Sequence, residues 1–280
     1  MLLDETLALL GRYRLTADPS KDEQQLVDPK VIALLIGYAS VGGSDTVLEV
    51  GPGAGNITVQ LANIAYHVIA VEREPKWLPL LRNRLAGYGN VELVEGNALT
   101  TRFPLFTKVV SNLPYAIAEA FVQRLTRFSF EAASLLVPAS FAATATADRG
   151  SLGYTKLSYA LQLFFAMEKL VDVSSEAYHP EPRTRTAILT LRSKPISSPV
   201  DVVFQSLLQQ RDRTLGNALR EAVISAKGMG YPGTKREARA LVAQLGLDAE
   251  ILRRRVGALS LKELLVIEGR LIEKPVAGTD

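Results

Sequence analysis

The chain contains no cysteine and only two histidines, His67 and His179, in 280 residues. That excludes disulfides, thiolate zinc sites and a cysteine nucleophile, and it leaves too few imidazoles for a histidine-based metal centre. Long apolar runs are missing too. The stretch VIALLIGYASVGG falls short of the roughly 18 residues that a membrane-crossing helix needs. The opening MLLDETLALLGRYR carries Asp4 and Glu5 where a secretory signal would be basic. The expectation is a soluble, cytoplasmic protein without membrane association. Hydrophobic residues make up 48% of the chain and charged residues 22%, which supplies apolar material for a packed core and argues against disorder.

Charge of one sign is scarce overall but unevenly placed. The net charge is +3; residues 1–193 carry 18 Lys and Arg against 19 Asp and Glu, whereas residues 194–280 carry 14 against 10. A basic tail on a neutral main body suits an anionic partner such as nucleic acid, and it equally suits a solvated helical surface.

Short runs rich in Val, Leu and Ile lie at 46–50, 67–71, 91–94, 107–111 and 132–137, and stretches of helical spacing at 56–65, 75–86 and 116–127 fall between them. Strands alternating with helices at this rhythm predict a doubly wound, mostly parallel sheet of the Rossmann-like α/β class. A helix over 29–39 precedes the first strand, with Asp28 as its N-cap and Pro29 at its first position. Later strands are expected at 168–173 and 186–192, the second alternating as a sheet-edge strand does. SKPISSP (193–199) reads as a linker, followed by helices over 200–211, 213–226, 234–245, 248–255 and 260–272. Two domains are expected, 1–193 and an all-helical 194–280.

EVGPGAG, Glu49 to Gly55, follows the first strand and opens a helix at Asn56. Glycines there let the chain turn sharply and approach a ligand, with free helix N–H groups nearby. Nucleotide dehydrogenases share such a turn. Three details favour S-adenosylmethionine over NAD. Glu49 precedes the glycines, and their spacing is not GxGxxG. Glu72 ends the second strand, where a carboxylate can take both ribose hydroxyls, although dinucleotide folds also use an acid there. Asn97, in EGNAL after the third strand, falls where an adenine edge would lie.

After the fourth strand comes SNLPY, with Asn112, Leu113, Pro114 and Tyr115. An adenine exocyclic amine is a poor nucleophile because its lone pair is delocalised into the ring. Two acceptors around it, the Asn112 side-chain oxygen and a backbone carbonyl near Leu113 or Pro114, would take its two hydrogens and stabilise pyramidalisation during attack on a methyl group. Pro114 stiffens the loop, and Tyr115 offers a face for the base to stack on. A sulfonium methyl donor is already activated, so alignment matters more than acid–base help and no His or Cys is required. An ordinary Asn-Leu-Pro turn between strand and helix is the plainer reading.

With these motifs in this order, the chain resembles the rRNA adenine N6-dimethyltransferase family, the kasugamycin-sensitivity methylases and their relatives. The resemblance runs from about residue 20 to the C-terminus. It rests on EVGPGAG, VIAVERE, EGNAL and SNLPY, and also on GYTKLSYALQ (153–162), EAYHPEPRTRTAILTL (176–191) and QQRDRTLGNAL (209–219). It implies a Rossmann-like methyltransferase domain followed by a small helical domain, acting as a monomer on small-subunit rRNA or a precursor particle. It implies cofactor contacts from Gln24, Leu26, Gly51, Gly53, Glu72, Asn97 and Asn112, and a target adenine held by Asn112 to Tyr115. Tyr178 would pack on the base from the other side, or is an ordinary strand-edge aromatic; Arg183 and Arg185 are candidate RNA contacts beside it.

The chain departs from the family pattern at several points. Relatives carry QNFL or QHFL where this chain has EQQL, so Gln25 stands in place of an aromatic expected to cover the site. Asn97 stands in place of the usual Asp, and AIAEAF follows Tyr115 where relatives often show a Ser pair. The implied activity is methylation of N6 of two adjacent adenosines in a hairpin loop near the 3′ end of small-subunit rRNA, with a role in subunit biogenesis. An assembly factor that kept the fold with weak or lost catalysis is the alternative, motivated by Gln25 and Asn97. A single-adenine methylase of large-subunit rRNA and a methylase of a protein amide or small molecule are further readings. Arg253, Arg254 and Arg255, with Arg236 and Arg239 before them, are candidate phosphate contacts on the tail. His67 and Trp77 read as packing residues, and His179 as a residue near the target pocket.

Overall fold

The computed structural model describes residues 1–273, so the last seven residues of the expected helical domain lie outside the described part. The chain opens with α1 (Leu2–Arg12), β1 (Gln25–Leu26), α2 (Pro29–Tyr38), β2 (Thr46–Val50) and α3 (Asn56–Ala62). Next come β3 (His67–Glu72), α4 (Leu78–Leu85), β4 (Val91–Glu95), β5 (Lys108–Asn112), α5 (Ala118–Leu125), β6 (Ala132–Pro138) and α6 (Ala139–Ala145). After α7 (Lys156–Gln162) follow β7 (Phe165–Val173), β8 (Tyr178–His179) and β9 (Thr186–Ser193). The remainder is helical: α8 (Pro199–Leu208), α9 (Leu215–Ser225), α10 (Lys235–Gln244), α11 (Ala249–Arg253) and α12 (Leu261–Ile272).

Seven strands form one sheet in the order β4-β3-β2-β5-β6-β9-β7, parallel from β4 to β6 and antiparallel at β9 and β7. The central strands are apolar on both faces because helices cover both; Val47, Leu48, Val68, Ile69, Val109, Val110, Leu135 and Leu136 are wholly buried. The strand order reverses between β2 and β5, and in such sheets the crevice beyond the strand carboxyl ends at that point is where ligands bind. Both the glycine loop after β2 and SNLPY after β5 emerge there.

Local chemistry accounts for the helix starts. The Asp28 carboxylate accepts the Lys30 N–H and caps α2, with Pro29 in its first turn, as the sequence predicts. The helix expected over 75–86 is instead a 3-10 turn, Pro75–Trp77, leading into α4, because Pro79 lacks the N–H that would bond the Pro75 carbonyl in a continuous helix.

One strand position needs correction. The alternating segment 186–192 predicts an edge strand, yet β9 lies between β6 and β7, and β7 is the edge. The first four residues of β9 are all buried, whereas β7 buries only its end residues, Phe165 and Val173. A separate two-stranded ladder joins β1 to β8, pairing Gln25 with His179 and Leu26 with Tyr178.

The chain divides into two compact units, residues 1–147 with 165–193, and residues 148–164 with the chain from Lys194 onward. The expected boundary after residue 193 therefore differs in one segment: α7 belongs with the helices. Within that second unit Tyr159 of α7 packs edge-on against Phe204 of α8 at 5.9 Å. Lys156 donates to the Gly257 and Leu259 carbonyls at 2.8 and 2.6 Å. Ser198, Thr234 and Ser260 form capping boxes with Asp201, Glu237 and Glu263.

Candidate active site

A pocket opens at the carboxyl end of β2, β3 and β5 in the first unit. Its lining includes Gln24, Leu26, Gly51, Gly53, Glu72, Asn97, Asn112 and Pro114. Residues far apart in the sequence thus converge on one crevice. Gly51 and Gly53 adopt φ of +69° and +56°, which only glycine takes without strain. A Cβ on Gly51 would stand 3.2 Å from the Pro114 ring, so the glycine loop and SNLPY are in contact.

Glu72 ends β3 with its carboxylate accepting the Gly53 N–H at 3.3 Å and the Glu74 N–H at 2.8 Å. Burial raises its pKa, and these N–H donors act against that rise. Glu49 is fully buried behind the loop. Burial pushes its carboxyl up to about 8; the Thr58 hydroxyl opposes the shift, and the neighbouring Glu72 charge adds to it.

Asn112 sits at the last position of β5. Its Nδ2 donates to the Gln24 carbonyl at 3.2 Å, while its Oδ1 is buried without a hydrogen-bond partner. An unpaired buried acceptor is costly and calls for a donor from a ligand. Asn97 also lines the pocket and accepts the Leu99 N–H on its Oδ1 at 2.8 Å.

Five predicted residues stand elsewhere. Leu113 is 1% exposed, its side chain in the core and its N–H given to the Leu136 carbonyl, so only its main-chain carbonyl is left for a ligand. Tyr115 is half-buried and outside the lining; burial first, then the nearby Tyr178 phenol, raises its own phenol well above the usual range. Tyr178 is 3% exposed, hydrogen-bonded to Thr186 at 2.8 Å and packed with Leu26, Val173 and Ile188, because the β1–β8 ladder draws it into the core. Of its two readings, the strand aromatic matches this placement. Arg183 and Arg185 are exposed on the approach to β9.

Trp77 is buried in the cluster with Leu80 and Leu81 and also reaches the pocket wall. His67 begins β3, its Nε2 3.5 Å from Glu92. Arg236, Arg239, Arg253 and Arg255 are exposed on the second unit, whereas Arg254 is engaged with Glu263 and the Ala258 carbonyl.

Sequence reasoning missed the polar residues that hold the pocket wall. Glu23, only 7% exposed, pairs with Lys76 at 2.6 Å and accepts the Asp18 N–H. Asn56 donates to the Leu26 carbonyl at 2.8 Å and pairs with Thr6 of α1, and Arg84 bonds the Ala54 carbonyl, Asn56 and Glu5. No local signal marks such long-range partners. Helix α1 did leave one: Asp4 and Glu5 lie in the first turn and Arg12 in the last.

A reversing parallel sheet with a glycine loop after its first main strand, an acid closing the next and an Asn-Leu-Pro-Tyr loop after the strand across the switch point defines a class I methyltransferase. The ribosomal RNA adenine dimethylase model matches residues 17–229. A probable ribosomal RNA small subunit methyltransferase A of Methanothermobacter thermautotrophicus is 33% identical, with 95% of each chain covered. The chain belongs to the ribosomal RNA adenine dimethylase family of S-adenosylmethionine-dependent methyltransferases. Among solved structures, the 23S rRNA methyltransferase ErmE aligns with a TM-score of 0.60 at 25% identity, covering 89% of this chain and 99% of that one. A dimethyladenosine transferase from Plasmodium falciparum aligns with a TM-score of 0.58 at 23% identity, covering 86% and 94%, which supports the fold.

The residues present fit S-adenosylmethionine. Gly51 and Gly53 line the crevice at positive φ, Glu72 offers a carboxylate to a diol, and the lone Oδ1 of Asn112 lacks a donor. No helix among the described residues is long and apolar enough to cross a membrane.

Proposed function

We propose that the protein methylates N6 of two adjacent adenosines in a hairpin loop near the 3′ end of small-subunit rRNA, during maturation of that subunit. The observation that carries this reading is the buried, unpartnered Oδ1 of Asn112, a residue that lines the same crevice as Glu72 and the glycine loop. An amine hydrogen is the donor this oxygen lacks. When bound, S-adenosylmethionine supplies a methyl group on a cationic sulfur.

In this reading Gly51 and Gly53 let the backbone lie close against the cofactor, Glu72 accepts from its ribose hydroxyls, and Asn97 meets its adenine edge. Gln24 and Leu26 close the near wall. Asn112 Oδ1 and the Leu113 or Pro114 carbonyl hold the target amine and stabilise its pyramidal form. Tyr115 covers the base, and Arg183 stands at the approach for backbone phosphate. Hairpin-loop bases are splayed into such a pocket at modest cost. The exposed arginines of the helical unit suit further phosphate contacts, and the protein works as a cytoplasmic monomer.

The relatives named for the small subunit support that choice over large-subunit RNA. The test offers labelled S-adenosylmethionine with undermethylated small subunits and, separately, large-subunit RNA. Label on small-subunit rRNA is expected. Label confined to large-subunit RNA, or transfer independent of RNA, would overturn the reading.

A further inference from the structure

We propose that Gln25 is a positioning residue for methyl transfer: its side-chain amide bolts the strand at 25–26 onto the glycine loop and thereby fixes which way Asn112 faces. The proposal rests on the pocket reading above.

Gln25 is 6% exposed, and both ends of its amide are used on main-chain groups. Its Oε1 accepts the Ala54 N–H at 2.7 Å, and its Nε2 donates to the Glu23 carbonyl at 2.6 Å. The amide lies flat against Gly53, where a Cβ would stand 2.5 Å from Oε1. Gly53 therefore answers to Gln25 as well as to its own turn.

The flanking residues turn this latch into a coupling. On one side the Gln24 carbonyl takes the Asn112 Nδ2 at 3.2 Å; on the other the Leu26 carbonyl takes the Asn56 Nδ2 at 2.8 Å. Three successive residues thus grip the SNLPY loop, the glycine loop and the start of α3. The strand itself is short: β1 and β8 share two residue pairs, extended by the Val27 and Asp28 N–H groups donating to the Ala177 carbonyl. Those bonds tie the segment to β8, and the side-chain bonds of Gln25, Asn112 and Asn56 tie it to the two loops and α3.

The consequence for chemistry follows from amide asymmetry. An asparagine amide has one acceptor and one donor end. The Gln24 carbonyl accepts only the donor end, so Oδ1 is the end left without a partner. If Gln25 lets go, the Gln24 carbonyl shifts, the Ala54 N–H loses its partner, and Asn112 can present nitrogen in place of oxygen.

Gln25→Met keeps the side-chain length and removes both hydrogen bonds. The expected result is S-adenosylhomocysteine binding about tenfold weaker by calorimetry, together with kcat at saturating cofactor about tenfold lower. Gln25→Glu keeps the acceptor for Ala54 and is expected to bind S-adenosylhomocysteine more tightly than Gln25→Met. Binding and kcat both within twofold of wild type in Gln25→Met would overturn the proposal, as would kcat unchanged while only binding falls. In the unaltered protein, amide hydrogen exchange at Ala54 is expected to be protected without cofactor, and exchange at the rate of an open loop would overturn the latch even if the variants failed to fold. A wild-type protein that transfers no methyl would instead defeat the pocket reading, while the Ala54 exchange and binding results would still judge the latch.

Discussion

Asn112 gives a side-chain N–H to the Gln24 carbonyl, 3.2 Å away and 88 residues earlier in the chain, and keeps its Oδ1 buried and unpaired. One hydrogen bond thus sorts the two ends of the amide and leaves the acceptor for a ligand. The segment before α2 thus meets the end of β5, the strand that neighbours β2 at the switch point.

From this arrangement, Asn112→Ala is expected to lower methyl transfer by a factor of about a hundred or more, the scale seen when one preorganised polar group is removed from a transition state. The thermal midpoint should stay close to wild type, because the truncated amide gives up one 3.2 Å bond and an unpaired atom. Parallel assays of turnover and melting check both halves. Unchanged turnover would remove Asn112 from the chemistry.

Asn97→Asp is expected to tighten S-adenosylhomocysteine binding. The present Oδ1 is committed to the Leu99 N–H, so an amide offers the pocket a donor where an adenine amino group needs an acceptor. A carboxylate would keep the Leu99 bond with one oxygen and offer the other, a gain of about tenfold for one charge-assisted hydrogen bond. Calorimetric titration of both proteins measures it, and equal affinities would take this position out of the adenine site.

Glu49 makes stability depend on pH. Its folded-state value stands near 8 against an ordinary 4.5, so the folded protein holds a proton that the unfolded chain has released. Glu49 thus contributes most below about 4.5 and its contribution is lost as pH rises through about 8. Glu49→Gln, neutral at every pH, is expected to flatten this decline, and its melting temperature should overtake that of the wild type as pH is raised from 5 to 9. Parallel curves across that range would contradict the assignment.

How far the sequence could be read follows from which interactions are local. The parallel strands were legible because buried strands are continuous apolar runs, and α2 because Asp28 and Pro29 mark its start. Helix α7 was missed because its reason for forming lies elsewhere: it packs on α8 and binds the Gly257 and Leu259 carbonyls, about a hundred residues downstream. The place of β9 was misread because its period-two alternation describes side-chain chemistry, while its inward position is set by pairing with both β6 and β7.

The site divides the same way. Glu72, Asn97, Asn112 and the two glycines sit at strand ends that a motif can mark, and the structure brings all of them to one crevice. Tyr178 was ambiguous because burial of a strand aromatic depends on its neighbours, here Leu26 across a two-residue ladder. Gln25, read only as a missing aromatic, is a buried amide bonded to Ala54 and Glu23. No spacing rule reports a side chain that reaches across 29 residues to one backbone N–H.

Nucleoside mapping is the decisive test of the proposed dimethylation of two neighbouring adenosines. Undermethylated small ribosomal subunits are incubated with the protein and S-adenosylmethionine, and the rRNA is digested and analysed by mass spectrometry. N6,N6-dimethyladenosine is expected at two adjacent positions near the 3′ end. Tight binding to the particle with no methylated adenosine would contradict it and point to an assembly factor built on a methyltransferase fold.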